Sequence, residues 1–206
     1  MVALAARWLL TFCIAAAGVS AQAREYRGHP GAAAFVATMA EKYGFDRDEL
    51  TLLLAGAQYQ QSIIDAMERP AERVKPWHAY RTIFVTEKRI SDGVAFWRQH
   101  RETLMRVQQD YGVDPAIVVA IIGVETSYGR ITGNFRVLDA LSTLAFDYPK
   151  RSDFFTRELE QFLLLTREQR RDPQDIRGSY AGAMGYGQFM PSSYRAYAID
   201  YNGDGL

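Results

Sequence analysis

Ten consecutive residues, Pro115 to Val124, carry no polar side chain, and the next is a carboxylate, Glu125. A helix that is apolar all round has no face to offer water, so this stretch is expected to be buried. Asp114 as N-cap and Pro115 in the first turn start the helix, and Gly129 is expected to close it. The question it raises is why a buried helix should end on a charge.

The rest of the chain also reads as almost entirely helical. Ala32 to Tyr43 is an apolar helix stopped by Gly44, and Asp46 with Glu49 makes a capping-box pattern before LTLLLAGA. SIIDAMER forms a third helix ending at Pro70, and PAERVKP is a loop with prolines bracketing charges. Ile90, Trp97, Leu104 and Tyr111 recur every seven residues, which predicts one long helix from Thr86 to a stop at Gly112. Beyond Glu125, helices are expected at RVLDALSTLAF, at SDFFTRELEQFLLLTREQR with Ser152 as cap, and at PSSYRAYAID. GSYAGAMGYGQF (178–189) is too rich in glycine for a regular element.

Composition narrows the function. The chain has 206 residues, 48% of them hydrophobic, enough for one sizeable domain or two small ones, with Gly112–Asp114 the best place for a division. Lys plus Arg equals Asp plus Glu, 24 against 24, so no basic surplus points to nucleic acid and no acidic block to a disordered tail. MVALAAR followed by WLLTFCIAAAGV and a small-x-small site reads as a secretory signal peptide over residues 1–23. Cys13, the one cysteine, follows Phe12 rather than small residues, which does not fit a lipid-attachment site. After cleavage the exported chain would hold no disulfide and depend on its core alone.

Three places can carry chemistry. Glu125, at the end of an apolar helix, is expected to be partly desolvated, a setting suited to general acid catalysis; the bland alternative is a carboxylate pointing to water and pairing with Arg130. In the glycine-rich stretch, Ser179, Tyr180, Tyr186 and Gln188 suit backbone lying close to a ligand, while a close-packed turn would use the same glycines. DYNGDGL (200–206) places Asp200, Asn202 and Asp204 at alternate positions with Gly205 for the turn, the first half of a calcium loop; a plain turn is the alternative. His29, His78 and His100 are scattered, and the glycine order fits neither a phosphate loop nor a dinucleotide fingerprint, so zinc and nucleotide chemistry are set aside.

The combination IIGVETSYGR, LDALSTLAFDYP, GSYAGAMGYGQFMPSSY and DYNGDG closely resembles the membrane-bound lytic murein transglycosylase B family, periplasmic enzymes that cut the glycan of peptidoglycan. The resemblance runs from about Phe35 to Leu206 and keeps the order and spacing of all four motifs. It implies a mainly α fold, a lysozyme-like helical core (113–206) preceded by a helical domain (24–112). By position, Glu125 matches the single catalytic acid, Ser179 and Gln188 match contacts to the sugar at the cleavage point, and Tyr80 matches an aromatic that lines the glycan groove. Lys150 and Arg151 fall where basic residues meet the peptide stem, with Lys150 standing in place of an Arg. Asp200, Asn202 and Asp204 match the start of a structural calcium loop. No cofactor is implied for the chemistry, and the implied partner is the peptidoglycan strand.

The resemblance also implies a mechanism. Glu125 protonates the oxygen between N-acetylmuramic acid and N-acetylglucosamine, then takes the proton from the muramoyl C6 hydroxyl as a 1,6-anhydro ring closes. Ordinary glycosidases need two carboxylates; here Asp139, Asp147 and Asp153 sit at ordinary helix positions. A non-catalytic glycan-binding module and a hydrolytic muramidase are the competing readings. Family members continue past DYNGDGL, so this chain reads as partial, with weak calcium affinity and reduced or absent activity expected of it as it stands.

Overall fold

A computed structural model describes residues 25–69 and 75–204. The helices are α1 (Pro30–Tyr43), α2 (Arg47–Ala55), α3 (Gln61–Glu68), α4 (Trp77–Phe84), α5 (Glu87–Gln99), α6 (Arg101–Tyr111), α7 (Pro115–Thr126), α8 (Val137–Asp147), α9 (Ser152–Glu168) and α10 (Pro191–Tyr197). The two short strands β1 (Phe135–Arg136) and β2 (Arg177–Gly178) pair antiparallel. Local chemistry fixes many of the boundaries. Asp46 accepts the N–H groups of Asp48 and Glu49, both at 2.9 Å, to start α2, and Asp114 accepts that of Ala116 at 2.8 Å to start α7. The leader and the PAERVKP loop fall wholly or partly outside the described residues. Among those described, no helix is long and apolar enough to cross a membrane.

The helix at the centre is α8, not the all-apolar α7. Every residue from Val137 to Ala145 is buried, between α9 on one side and α1 and α3 on the other. Of its polar groups, Asp139 and Thr143 go inside with partners, while the buried Ser142 hydroxyl has none among the described residues. Asp139 accepts from Arg136 Nε (2.8 Å) and NH2 (2.7 Å) and from the Gln58 amide (2.9 Å), and Thr143 accepts the Gln60 amide at 3.1 Å. By contrast α7 buries Val119, Gly123 and Thr126 against α5 and α6 but leaves Ile117, Ile121 and Val124 about half exposed. Apolar content therefore misjudged which helix is central: paired polar side chains cost little to bury, and position among neighbours decides the rest.

The long helix expected from Thr86 to Gly112 is two. His100 leaves the helical region (φ −107°, ψ 20°) and separates α5 from α6. Both halves pack against α7, which a single straight rod over that length does not do. The main core joins Met39, Leu54 and Ile63 to Leu138, Leu141, Leu144, Phe155 and Phe162, so residues from both sides of Gly112 pack together.

Tyr26 closes one end of this core, donating its hydroxyl to Asp147 at 2.9 Å. Burial pushes its pKa well above the ordinary 10.0, and Asp147 raises it further. The unfolded chain releases this proton near pH 10 while the native one keeps it, so the contribution is complete below about pH 10 and is lost as pH rises beyond it. Tyr26→Phe is expected to cost about 1 kcal/mol at neutral pH and to flatten the alkaline fall of the urea midpoint. An unchanged alkaline slope in the variant would contradict this assignment.

Candidate active site

Glu125 lies in the last turn of α7, and the chain leaves that helix abruptly. Ser127 (φ 50°) and Tyr128 (φ 64°) are both left-handed, and their N–H groups return to Gly123 O and Ile122 O at 3.2 Å each. The helix is thus closed by Ser127, two residues before the expected Gly129. Two successive side chains in this backbone region are strained, and what holds them is the Tyr128 ring. It fills a slot between α5 and α7 where a Cβ on Gly93 or Gly123 would come within 2.6 Å or 2.7 Å of it. Its hydroxyl donates to Arg89 O at 3.0 Å, and Arg89 NH1 donates to Gly123 O at 3.0 Å.

The glycine-rich segment is tied to this helix end. Thr126, 1% exposed, reaches both Ile122 O and Tyr186 O at 3.1 Å and accepts the Gly129 N–H at 2.9 Å. The Tyr186 ring lies over Gly129, where a Cβ would sit 2.6 Å from it, and Phe96 stands near both Tyr128 (5.7 Å) and Tyr186 (6.5 Å). At its far end the segment is fixed by Glu158. This buried carboxylate accepts Ser192 N at 3.0 Å and Ser192 Oγ at 2.6 Å, anchoring the start of α10.

Glu125 itself is exposed and makes no hydrogen bond or ion pair with the described residues. The expected desolvation is not found, because the α7 face that carries Ile121 and Val124 is open. Nor does Glu125 pair with Arg130, whose NH2 binds Asp92 at 2.7 Å. A hydrogen bond from Lys88 and the charge of Arg130 hold the Asp92 carboxyl below its ordinary value. Glu125 is therefore a free carboxylate on a rigidly closed helix end.

Ser179 Oγ accepts the N–H groups of Ala183 (3.0 Å) and Ala181 (3.3 Å), which leaves its own proton to donate. Gln188, held left-handed at φ 49°, donates Nε2 to Thr132 O (3.1 Å) and Gly185 O (3.0 Å), which leaves its amide oxygen as an acceptor. Both bear groups a sugar can use. Tyr80 lies on α4, 46% exposed. Lys150 and Arg151 lie in the 3-10 turn between α8 and α9; Lys150 pairs with Glu68 at 3.1 Å, and Arg151 lies over the Phe154 ring at 4.4 Å.

At the end of the described chain, Asp200 Oδ1 accepts the Gly203 N–H at 2.8 Å, and the Asn202 amide donates to Asp204. Oxygen donors at alternate positions around an Asp-anchored turn resemble the opening of a calcium loop, where three side chains would supply at most half of the six or more ligands that calcium takes. Among the described residues no group of three or more His, Cys, Asp or Glu gathers as a metal set. These residues fit the leading half of such a site.

Sequence reasoning missed Thr126, Tyr128, Arg89 and Glu158. The signal for Tyr128 was present in Gly93 and Gly123, whose missing side chains make its slot. Glu158 carried no local signal, since its partner is 34 residues away.

The family model of the transglycosylase SLT domain matches residues 28–206. Membrane-bound lytic murein transglycosylase B of Escherichia coli (strain K12) is 47% identical over 190 residues, 88% of this chain and 53% of that protein, so the chain spans about half the length of this curated relative. Soluble lytic transglycosylase SltB1 from Pseudomonas aeruginosa is similar in structure, with a TM-score of 0.84 at 58% identity over 85% of this chain and 59% of that one. The Escherichia coli lytic transglycosylase Slt35, solved in complex with calcium, gives a TM-score of 0.83 at 46% identity, covering 89% of this chain and 58% of its own. SltB3 from Pseudomonas aeruginosa, solved with NAG-anhNAM-pentapeptide, gives 0.76 at 32% identity, covering 84% of this chain and 46% of its own. These structures share the mainly helical, lysozyme-like architecture that the sequence resemblance implies. With a family match over most of its length and relatives at this identity, the chain belongs to the transglycosylase SLT family.

Proposed function

We propose that this chain is a lytic transglycosylase acting on the glycan strands of peptidoglycan, with Glu125 as its acid and then its base. Glu125 gives its proton to the glycosidic oxygen as the bond from muramoyl C1 breaks. The sugar's own acetamido oxygen stabilises the electron-poor C1. The C6 hydroxyl oxygen then bonds to C1, its proton returns to Glu125, and a 1,6-anhydro end is left without consumption of water. Ser179, offering a proton, and Gln188, offering an amide oxygen, hold the sugar at the cleavage point; Tyr80 and Tyr186 line its path. Lys150 and Arg151 are assigned to the peptide stem.

The observation that carries this reading is an exposed, unbonded carboxylate on the closed end of α7, which Thr126 ties to the glycine-rich segment. Asp139 is spent on Arg136 and Gln58, Asp147 on Tyr26, and Asp92 on Arg130 and Lys88. A hydrolytic muramidase needs a second carboxylate or an activated water opposite the first; with these three aspartates already engaged, the one-carboxylate mechanism is favoured. Asp200, Asn202 and Asp204 are assigned to the leading half of a structural calcium loop, in keeping with the calcium complex of Slt35; the ion would stiffen the turn and take no part in the chemistry. We assign residues 1–23 to export into the periplasm, 24–112 to a helical region that supports the groove, and 113–206 to the part that carries the chemistry.

The test is the mass of soluble fragments released from purified peptidoglycan. Muropeptides one water lighter than hydrolysis products are expected. Fragments with free reducing ends would establish a hydrolase instead, and binding without release would show only that this chain holds glycan.

A further inference from the structure

We propose that Arg89 and Arg130 are positioning residues of the reaction, two guanidiniums that hold the backbone carbonyls on either side of Glu125 and so fix where its carboxyl group stands. The proposal deepens the catalytic reading above and rests on it. Arg89 NH1 donates to Gly123 O at 3.0 Å, two residues before Glu125. Arg130 Nε donates to Ser127 O at 3.1 Å, two residues after it. Both arginines are set by α5: Arg89 lies on it, and Arg130 NH2 binds its Asp92 at 2.7 Å.

The face of α5 turned toward the end of α7 is Arg89, Asp92, Gly93 and Phe96, at i, i+3, i+4 and i+7. Gly93 makes room for the Tyr128 ring, and Phe96 stands 5.7 Å from it, so half of this face packs as a helix contact ordinarily does. The other half carries charges, where apolar side chains of similar volume would join two helices as well or better. Packing alone therefore does not account for Arg89 and Asp92. Holding the two carbonyls does. Gly123 and Ser127 are both buried, and carbonyls at the end of a helix carry partial negative charge, so cationic donors bind them more strongly than neutral ones.

Such a brace suits a carboxyl group that acts twice. Glu125 gives a proton to one oxygen and takes one from another, and both oxygens must come within hydrogen-bond reach of the same side chain. Glu125 is exposed and bonded to nothing among the described residues, so its reach depends on the backbone that bears it. That backbone turns through two left-handed residues directly after the helix, at Ser127 and Tyr128. The two guanidiniums hold it from both sides of the turn, and neither needs to touch the sugar to do so.

The experiment compares Arg89→Met, Arg89→Lys, Asp92→Asn and Lys88→Ala with the parent in two readouts. One is the rate of anhydro-muropeptide release over a range of solubilised peptidoglycan concentrations, the other hydrogen exchange at the Ser127 and Tyr128 amides that close α7. Melting curves check that each variant is folded. Arg89→Met and Asp92→Asn are expected to lower kcat about tenfold, to leave KM within about twofold of the parent, and to speed exchange at both amides. Arg89→Lys, which keeps a cation, is expected to fall between Arg89→Met and the parent. Lys88→Ala is the control: it also takes an ion pair from Asp92 (3.1 Å) but leaves Arg130 in place, so both readouts stay at the parent's values. Parent-like kcat in Arg89→Met and Asp92→Asn overturns the proposal. So does a change confined to KM, or an equal fall in Lys88→Ala, which would report surface charge alone. Faster exchange in the variants of a parent that forms no anhydro product would keep the brace and sink the catalytic reading, so the two fail separately.

Discussion

Glu125→Gln is expected to reduce the release of anhydro-muropeptides by about 1,000-fold while leaving the melting temperature where it was. The two halves of this expectation come from the same observation. Glu125 is exposed and bonded to nothing among the described residues, so replacing a carboxylate by an amide of the same shape removes no native interaction. What it removes is the proton, which in the proposed mechanism is given to the leaving oxygen and recovered from the C6 hydroxyl. The matched control is Asp139→Asn. There a buried, bonded carboxylate is lost, and the expected result is lower stability, with any fall in activity following the folded fraction. Release by Glu125→Gln within tenfold of the parent would sink the assignment and require another proton source.

What could be read from the sequence divides according to the range of the forces involved. Helix limits set by neighbours in the chain, such as Asp46 before α2 and Gly44 after α1, were legible because the donor and acceptor lie within four residues. The break at His100 was not, because two helices bend there to lie on α7, and heptad spacing carries no record of that docking. The burial of α7 was misjudged for a related reason. Apolar content states what a helix tolerates, and packing partners decide what it receives, so Asp139 and Ser142 lie inside while Ile121 lies half outside. Glu125 was singled out through its setting and the motif around it, yet that setting proved open. The groups that fix it in place, Thr126, Tyr128 and Arg89, act through contacts across 34 to 60 residues.

Gly133→Ala is expected to cost about 4 kcal/mol or more, a large part of the stability of a domain this size, and to abolish sugar binding at Ser179 with it. A Cβ on Gly133 would lie 2.0 Å from both C and O of Gly178 and 2.4 Å from Ser179 N. These are backbone atoms fixed by the β1–β2 pairing, so no side chain can swing aside, and the positive φ of 100° adds its own strain. Gly185→Ala, in the glycine-rich segment that Gly133 packs against, is the contrast. Its φ is also positive, at 68°, but nothing lies within 4 Å of the added carbon, so only the backbone term of about 1 kcal/mol is expected. Urea denaturation of the two variants separates close approach from backbone conformation. The glycines at 178 and 182 side with Gly133: added carbons there would meet Ala183 O at 2.3 Å and Leu141 at 2.5 Å. The glycine-rich stretch is thus a close-packed turn, and its close packing is what aims Ser179 and Gln188. A loss at Gly133 no larger than that at Gly185 would mean that the segment yields, and that its polar groups are not held in advance of the sugar.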